Sequence, residues 1–373
     1  MRIIERGTIY DAAQAAPSAR FATFPMLERT LEGRVLATFR VGSSKDSADE
    51  DVRVLASDDE GRTWREIFGG FGDILPGGWR ARAFGVTRLP NGGLIGAITA
   101  IDRSNPSRPL ANPDTQGLLP AKILVTDSPD GATWSAPRMV STAPYTGCVT
   151  TGAILTLRDG TLALPYESWK DWSDASYGEH RAALRLSFDS GHTWPGHSVV
   201  AHDPSGRLLF WDQRLSIDPA TGALVGLFWT YDRVAAQDAP IHIAWCDAGG
   251  TRWSSPESTG ITGQIASPLF LPDGRLLAIY VHRHDPPGIR AVLSNDGGRT
   301  WRLDEELHVY DRRRNGSESG MGGARGFGDY WADMSVWSFG HPAPLLLPGG
   351  DVLLAYYAGD STAMGIEWVR IAL

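Results

Sequence analysis

Short apolar segments recur along the chain, and each begins in the same way. A glycine, one further residue and then Leu or Val open a run rich in β-branched, aromatic and other apolar side chains. Runs of this length, bounded by turn residues, are typical of buried strands rather than helices. The pattern therefore predicts six equivalent strands, at residues 34–39, 93–99, 161–166, 223–229, 275–281 and 351–357.

A second repeat, Ser-x-Asp-x-Gly-x-Thr-Trp, follows five of these runs. It is complete at residues 57–64, 187–194 and 294–301, and degenerate at 127–134 and 246–253. In a tight hairpin the Asp accepts backbone N–H bonds, the Gly takes a positive φ and the Trp packs back over the turn. Each copy, an Asp box, therefore predicts the corner between the third and fourth strands of a four-stranded unit.

Together the two repeats predict an all-β fold, a six-bladed β-propeller of four-stranded antiparallel blades. The sixth blade has no Asp box, and the chain ends on the apolar segment 365–373. We predict that the N-terminal segment 2–10 supplies the missing outer strand, because this closes the ring and removes a free sheet edge. Residues 1–373 are expected to form a single domain, since large β architectures often exceed the usual domain length.

Composition excludes several classes of partner. The 35 basic residues stand against 43 acidic ones, for a net charge of −8, and no basic stripe interleaved with aromatic residues indicates nucleic-acid binding. The chain has no run of 18 apolar residues to enter a membrane. Its start lacks a secretory signal, so we expect a cytoplasmic protein, or a secreted one already processed.

Neither a metal nor another cofactor is expected. Cys148 and Cys246 lie in different blades, and two such cysteines form neither a disulfide framework nor a zinc site. We expect them to be small buried apolar residues. His282 and His284 are spaced like a metal-ligand pair but lack a convincing third ligand.

The Asp boxes on a six-bladed propeller resemble those of the sialidase (neuraminidase) superfamily, and the resemblance extends over essentially the whole chain. It implies that the boxes lie on the face away from the active site. It also implies a carbohydrate substrate, bound near the axis by residues that begin the first strands and end the second strands. Two long insertions, 102–121 and 310–337, lie on that side and are expected to form its rim.

The resemblance suggests an acid/base group in the first blade. Arg40 lies where the family carries an arginine at the end of a second strand, and Asp46 lies within a residue of its acid/base aspartate. A carboxyl group that protonates a leaving oxygen needs a raised pKa, which partial burial could supply. Asp49 and Asp51 are rivals for this role.

Other positions depart from the sialidase pattern. Thr23 stands where sialidases carry the first arginine of a carboxylate-binding triad, Trp229 stands where another is expected, and residues 264–268 contain no arginine. The family's tyrosine nucleophile has no clear counterpart in 339–344. Because an arginine triad clamps a sugar carboxylate, we predict a substrate other than a standard sialic acid.

Further site residues are predicted at the same strand ends. Glu167 follows an apolar strand that would raise its pKa if it points inward, although strand alternation could also direct it to a neighbouring blade. Asp212 lies one residue from where the resemblance places the glutamate that activates the nucleophile, and Arg214 shares its strand face; the two could equally form a structural ion pair. Aromatic, basic and imidazole groups suit sugar binding, and the predicted substrate-binding residues are Arg40, Arg82, Arg214, Trp229, Tyr231, His284 and His341.

Three hypotheses for function follow. The first is a sialidase-like exo-glycoside hydrolase that uses Asp46, Glu167 and Asp212. The second is a polysaccharide lyase in which His282 or His284 abstracts a proton, Tyr231 or Tyr280 is the acid, and Arg40 neutralises a uronate. The third is a propeller that binds a glycan or a protein without catalysis.

Overall fold

The computed structural model describes residues 1–312 and 327–373, and most of its regular structure is β-strand. The N-terminal strand is β1 (Arg2–Tyr10), and the next nine are β2 (Thr23–Arg29), β3 (Val35–Val41), β4 (Asp51–Ser57), β5 (Arg65–Phe68), β6 (Trp79–Arg88), β7 (Leu94–Asp102), β8 (Ala121–Ser128), β9 (Arg138–Val140) and β10 (Thr146–Thr150). The middle of the chain forms β11 (Leu155–Thr156), β12 (Leu162–Trp169), β13 (Arg181–Ser187), β14 (Gly196–Ala201), β15 (Leu208–Ile217), β16 (Leu224–Asp232), β17 (Gln237–Cys246) and β18 (Glu257–Ser258). The remaining strands are β19 (Ala266–Phe270), β20 (Leu276–His282), β21 (Gly288–Ser294), β22 (Leu307–Asp311), β23 (Phe339–Leu346), β24 (Val352–Gly359) and β25 (Met364–Ala372).

Helices are few and short. One α-helix, α1 (Phe327–Val336), precedes β23, and three 3-10 turns cover Ala12–Gln14, Pro17–Ala19 and Leu303–Glu305. Each helix in the two described ranges is too short to cross a bilayer.

In the described ranges the strands form six antiparallel sheets. Their orders are β2-β3-β4-β5, β6-β7-β8-β9, β10-β12-β13-β14 with β11 added beside β12, β15-β16-β17-β18, β19-β20-β21-β22 and β23-β24-β25-β1. Each sheet contacts the next, and β23 of the last contacts β2 of the first. The fold is therefore an antiparallel β-propeller, as predicted.

The six apolar runs are the second strands of the six sheets, as predicted. Each observed strand begins one residue later than predicted and ends one to three residues later. The glycines that precede them have φ between +79° and +93°. Because L-residues are strained in this left-handed region, glycine is the residue that the turn requires.

The N-terminal strand closes the ring, as predicted. β1 pairs antiparallel with β25, from Arg2 opposite Ala372 to Tyr10 opposite Ile366. The first residues of the chain thus complete a sheet whose other three strands come from its end.

The Asp boxes form the predicted corners. In the first box the carboxylate of Asp59 accepts hydrogen bonds from the Thr63 backbone N–H at 2.8 Å and from the Thr63 hydroxyl at 2.7 Å. Trp64 donates its indole N–H to the Gly61 carbonyl at 2.8 Å, and Gly61 has a φ of +94°. The same carboxylate bonds recur in the boxes at 187–194 and 294–301. These bonds are local, so the motif specifies its own turn.

The hydrophobic core lies between neighbouring sheets. All seven residues of β3 and all nine of β16 are buried, as expected for strands that are covered on both faces. Cys148 and Cys246 are buried free thiols in these layers, as predicted, and burial raises the pKa of each to about 11.

Candidate active site

The first strands of five sheets are irregular near their beginnings. The register shifts lie between Thr23 and Met26, Ala81 and Ala83, Thr146 and Val149, Trp211 and Arg214, and Gly340 and Ala343. Inside these bulges Phe24, Asp212 and His341 have φ of +58°, +49° and +49°. A bulge redirects a side chain, and a left-handed φ at a residue other than glycine costs on the order of 1–3 kcal/mol. The strained residues lie near the beginnings of the first strands in three blades. We therefore take this end of the propeller axis as the candidate site.

A buried cluster of arginines and carboxylates occupies one side of this end. Arg82, in the bulge of β6, donates to Asp46 Oδ1 at 2.6 Å and to Glu50 Oε2 at 3.0 Å. Arg40, near the end of β3, places Nη1 3.1 Å from Glu50 Oε2. Arg103 donates to Glu50 Oε1 through Nε at 3.1 Å and Nη2 at 2.9 Å. Glu50, only 1% exposed, therefore holds three guanidinium groups from two blades.

Asp46 is an ionised partner in this cluster. Burial alone would raise the pKa of Asp46, but Arg82, Arg40 and Lys45 together hold it well below its usual range. The raised pKa that we expect for Asp46 as a proton donor is therefore not found. A carboxylate this acidic stabilises cations rather than protonating a leaving group.

The two rivals of Asp46 have other functions in its loop. Asp49 accepts hydrogen bonds from the backbone N–H and the hydroxyl of Ser43, both at 3.0 Å. Asp51 accepts the backbone N–H groups of Phe71 at 3.0 Å and Gly72 at 2.8 Å. Both carboxylates stabilise turns and stand apart from the arginine cluster.

A second charged group lies across the axis. Arg214 Nη2 is 3.4 Å from Asp212 Oδ1 and 3.0 Å from His341 Nδ1. Burial, together with Arg214, Lys45 and Arg283, lowers the pKa of His341 well below its usual value. The imidazole is therefore neutral, accepts from Arg214 through Nδ1 and carries its proton on Nε2.

Asp212 has the opposite pKa shift to Asp46. Burial and the nearby Glu167 raise the pKa of Asp212 to about 6, against the lowering effect of Arg214 and His180. Its side chain is still 26% exposed. A carboxyl group with these properties is protonated in part near neutrality and can reach a bound ligand, so it is a candidate general acid.

Glu167 stands next to Asp212, in the third blade. Its Oε1 accepts the backbone N–H of Gln213 at 2.9 Å, and its Oε2 lies 3.3 Å from His180 Nε2. These contacts direct Glu167 towards the fourth blade, the neighbouring-blade alternative that strand alternation allowed. There it also raises the pKa of Asp212.

The two charged groups are joined by a continuous line of contacts. The rings of His341 and Phe24 meet edge to face with centroids 4.0 Å apart. The Phe24 ring lies 4.4 Å from Arg40 Cζ and 5.9 Å from Arg82 Cζ, close enough for cation–π attraction. The structure thus brings together the predicted residues Arg40, Asp46, Arg82, Glu167, Asp212, Arg214 and His341.

Trp229 and Tyr231 lie beneath the surface of the site. Trp229 donates its indole N–H to Asp238 Oδ1 at 2.7 Å, and Tyr231 stacks on Trp211 with centroids 5.4 Å apart. Tyr330 of α1 packs against both and also donates to Asp238 at 2.8 Å. With 2% or less of each exposed, Trp229 and Tyr231 support the wall and present little surface for stacking a sugar.

The two histidines of the lyase hypothesis contact each other at the end of the fifth blade's second strand. His282 Nδ1 lies 3.2 Å from a backbone carbonyl, and its ring contacts His284 with centroids 5.7 Å apart. Burial lowers the pKa of His282 to about 4, and the hydroxyl of Tyr280 bonds to Glu306. Among the described residues neither histidine shares a hydrogen bond or ring contact with Arg40. The same part of the chain contains no group of three His, Cys, Asp or Glu side chains suited to a metal ion.

Residues 110–317 match the BNR repeat-like domain family. The chain belongs to this family. A comparison with curated proteins found no significant match.

Solved structures with the same fold align with this BNR propeller over essentially its whole length. A protein of unknown function from Dyadobacter fermentans is 21% identical with a TM-score of 0.70, covering 100% of this chain and 99% of its own. A Hadza microbial sialidase is 19% identical with a TM-score of 0.69, covering 99% of this chain and 68% of its own. An α-L-arabinanase from Penicillium chrysogenum, solved with arabinobiose, is 15% identical with a TM-score of 0.65, covering 99% and 98%. At these identities the likeness establishes the sialidase-like propeller fold.

Four ionisable residues of the BNR propeller site were not predicted from the sequence: Lys45, Glu50, His180 and Arg283. Arg283 stacks 3.9 Å over the Trp337 ring and donates to Gln264 Oε1 at 2.9 Å, and Lys45 donates to the Trp337 carbonyl at 3.0 Å. Arg283 could have been found, because it stands between His282 and His284 at the end of a second strand. Trp337 belongs to the predicted rim insertion, of which residues 313–326 lie outside the described residues.

A groove of about 500 Å³ adjoins the axial cluster on the same face. It lies where β10 begins and β12 ends, and its lining includes Tyr145, Ser168, Lys170 and Tyr177 but none of the axial charged residues. The axis is the candidate reaction centre of this BNR propeller, because the convergent charges and the opposed pKa shifts are found there.

Proposed function

We propose that this BNR propeller is a sialidase-like glycoside hydrolase that removes a sugar from the end of a glycan at the axial pocket. In this proposal residues 1–373 act as one domain, a six-bladed ring. The observation that carries the proposal is a pair of carboxyl groups at the same end of the axis with opposite pKa shifts: the pKa of Asp212 is raised to about 6 and that of Asp46 is lowered. Environments that separate two carboxyl pKa values in this way distinguish a proton donor from a permanent anion.

Asp212 is the proton donor to the leaving oxygen. Its raised pKa keeps a protonated fraction near neutrality, and its partial exposure makes it reachable. Glu167 is the carboxyl group beside it, held by the Gln213 N–H and with His180 Nε2 3.3 Å away. A carboxylate at this position stabilises the oxocarbenium-like positive charge that develops on the sugar ring during glycoside cleavage.

The cations favour an acidic sugar. Four basic side chains lower the pKa of the His341 imidazole by charge repulsion: Arg40, Arg214, Arg283 and Lys45. Arg82 lies beside Arg40. In the described residues these arginines and Lys45 lie among the carboxylates Asp46, Glu50, Glu167 and Asp212, and a negatively charged ligand group that contacts the arginines is attracted to them. Because Thr23 replaces an arginine of the sialic acid clamp, we propose an acidic sugar other than a standard sialic acid. The sialidase and arabinose-acting enzymes of the same fold are consistent with glycan hydrolysis.

Reporter release from aryl glycosides tests the proposal. The purified chain is incubated with an aryl α-L-arabinofuranoside, β-glucuronide and α-sialoside, and the Asp212→Asn variant is compared with Asp304→Asn, which changes an exposed carboxylate far from the axis. We expect an acidic glycoside to be hydrolysed, with a loss of at least about a hundredfold in Asp212→Asn and unchanged turnover in Asp304→Asn.

Three outcomes would contradict parts of this proposal. Equal activity of the two variants would exclude Asp212 as the acid. Rapid turnover of the sialoside would confirm hydrolysis and refute the exclusion of sialic acid. An absorbing unsaturated uronate as product, in place of a saturated sugar, would establish elimination instead.

A further inference from the structure

The groove beside the axis has the size of a ligand site. Its volume of about 500 Å³ falls within the range of roughly 300–1,000 Å³ that small-molecule sites occupy. Its lining includes Ser168 and Lys170, at and just after the end of β12, and the two tyrosines Tyr145 and Tyr177. Two aromatic rings, a hydroxyl and an ammonium group thus line one space.

One wall of the groove is held in place from within. Arg233 donates to the carbonyls of Tyr177 and Gly178, and its guanidinium lies 3.2 Å from the centroid of the Tyr177 ring. Lys170 donates to the carbonyl of Ser176 in the same loop. Tyr177 nevertheless remains 64% exposed. An aromatic side chain that is fixed before binding loses little conformational freedom when a ligand stacks on it.

The lining contains an unsatisfied hydroxyl. Ser168 is 2% exposed, and its Oγ has no hydrogen-bond partner among the described residues. Burying a hydroxyl without a partner is unfavourable, so such a group in a native fold requires an explanation. A ligand hydroxyl would satisfy it if the side chains that line the groove shifted to expose the Oγ.

The groove and the axial site share strand β12. Glu167 pairs with Val149, and Trp169, two residues further along β12, pairs with Thr146. Ser168 and Lys170 therefore follow the carboxylate that faces Asp212. A ligand whose terminal unit lies at the axis can extend into the groove.

The charges of the groove are balanced. Lys170 and Arg181 are matched by Asp174 and Glu179 along its lining, and Arg181 pairs with Glu179. Aromatic rings that stack on C–H faces, together with polar groups that bond hydroxyls, suit a neutral sugar.

We propose that the groove formed by Tyr145, Ser168, Lys170 and Tyr177 is a second sugar-binding subsite, which holds the neutral units that follow the terminal sugar of the glycan. This inference rests on the proposed function in taking a glycan as the ligand. It extends that function by specifying a substrate with an acidic terminal unit and neutral units behind it.

Binding of neutral oligosaccharides tests the subsite without requiring turnover. Lactose, arabinobiose and xylotriose are titrated separately into the intact protein, and binding is followed by saturation-transfer NMR and calorimetry. We expect at least one of them to bind, Tyr177→Ala and Ser168→Ala each to weaken it by about fivefold, and Tyr177→Phe to retain it. Phe188→Ala, which removes an aromatic residue that is 66% exposed at an Asp-box corner, is the matched control and should bind like the wild type.

The outcomes separate this inference from the proposed function. If none of the three sugars binds, or if Tyr177→Ala and Ser168→Ala bind as Phe188→Ala does while melting like the wild type, the subsite is refuted. If the aryl glycosides are not hydrolysed but neutral sugars bind with the expected sensitivity to Tyr177→Ala and Ser168→Ala, the hydrolase proposal fails and the subsite stands.

Discussion

Replacing Asp212 by Asn should stabilise the protein while it removes the proposed acid. The pKa of Asp212 is raised from 3.8 to about 6, chiefly by burial and then by Glu167. Since one pH unit of pKa shift is worth about 1.4 kcal/mol, this rise corresponds to about 3 kcal/mol. Asn keeps the shape of the side chain and abolishes its ionisation.

The sign of the effect follows from the direction of the shift. Below about pH 4 Asp212 is protonated in both the folded and the unfolded chain, so the substitution changes stability little. As the pH rises from about 4 to about 6, the unfolded chain releases the Asp212 proton while the folded chain retains it. The free energy of unfolding of the wild type therefore falls over this range. The advantage of Asp212→Asn should therefore grow from near zero at pH 4 to about 3 kcal/mol at pH 7 and above.

Urea denaturation followed by tryptophan fluorescence measures this difference at intervals between pH 4 and pH 8. Wild type, Asp212→Asn and the exposed control Asp304→Asn are compared under identical conditions. A difference that stays constant with pH, or that shrinks as the pH rises, would refute the assignment of a raised pKa to Asp212. A gain in stability coupled to a loss of activity is the trade-off expected of a strained site.

Three further predictions concern the frame around the site. Glu50→Gln should cost about 3 kcal/mol or more, because three buried guanidinium groups lose their shared carboxylate; thermal melting equal to that of the exposed control Glu305→Gln would contradict this. The pKa of Asp59 is lowered to about 2 by its hydrogen bonds in the Asp box, against burial. Its stabilising effect should thus be complete above pH 4 and lost as the pH falls towards 2, so melting curves of wild type and Asp59→Asn should differ at pH 6 and converge in acid, and a gap that persists in acid would argue against it. Gly33→Ala should cost about 1–2 kcal/mol from its φ of +93° alone, because an added Cβ meets open space; chemical denaturation that shows no loss would refute the strain.

The sequence by itself determined the ring. The glycines before the second strands, the Asp boxes and the apolar runs each act within a few residues, and the structure forms the strand, corner and closing sheet that each predicts. Local hydrogen bonds and the left-handed φ of glycine depend little on the rest of the fold, so these patterns could be interpreted without it. The spacing of the six second strands also predicted which positions lie near the axis.

Only the tertiary structure decided the chemistry of the axis. Arg82 bonds to Asp46, which is 36 residues away in the sequence, and Arg214 bonds to His341, which is 127 residues away. Neither pairing is visible in a local sequence pattern. Strand alternation placed Asp212 and Arg214 on one face, but a bulge between Trp211 and Arg214 breaks that alternation. The sequence suggested a raised pKa for Asp46 and for Glu167, and it left Asp212 as either a reacting carboxylate or a partner in a structural ion pair. Surrounding cations lowered the pKa of Asp46 and the neighbouring carboxylate helped to raise that of Asp212, because the charge nearest to a buried group is set by residues that folding alone brings together.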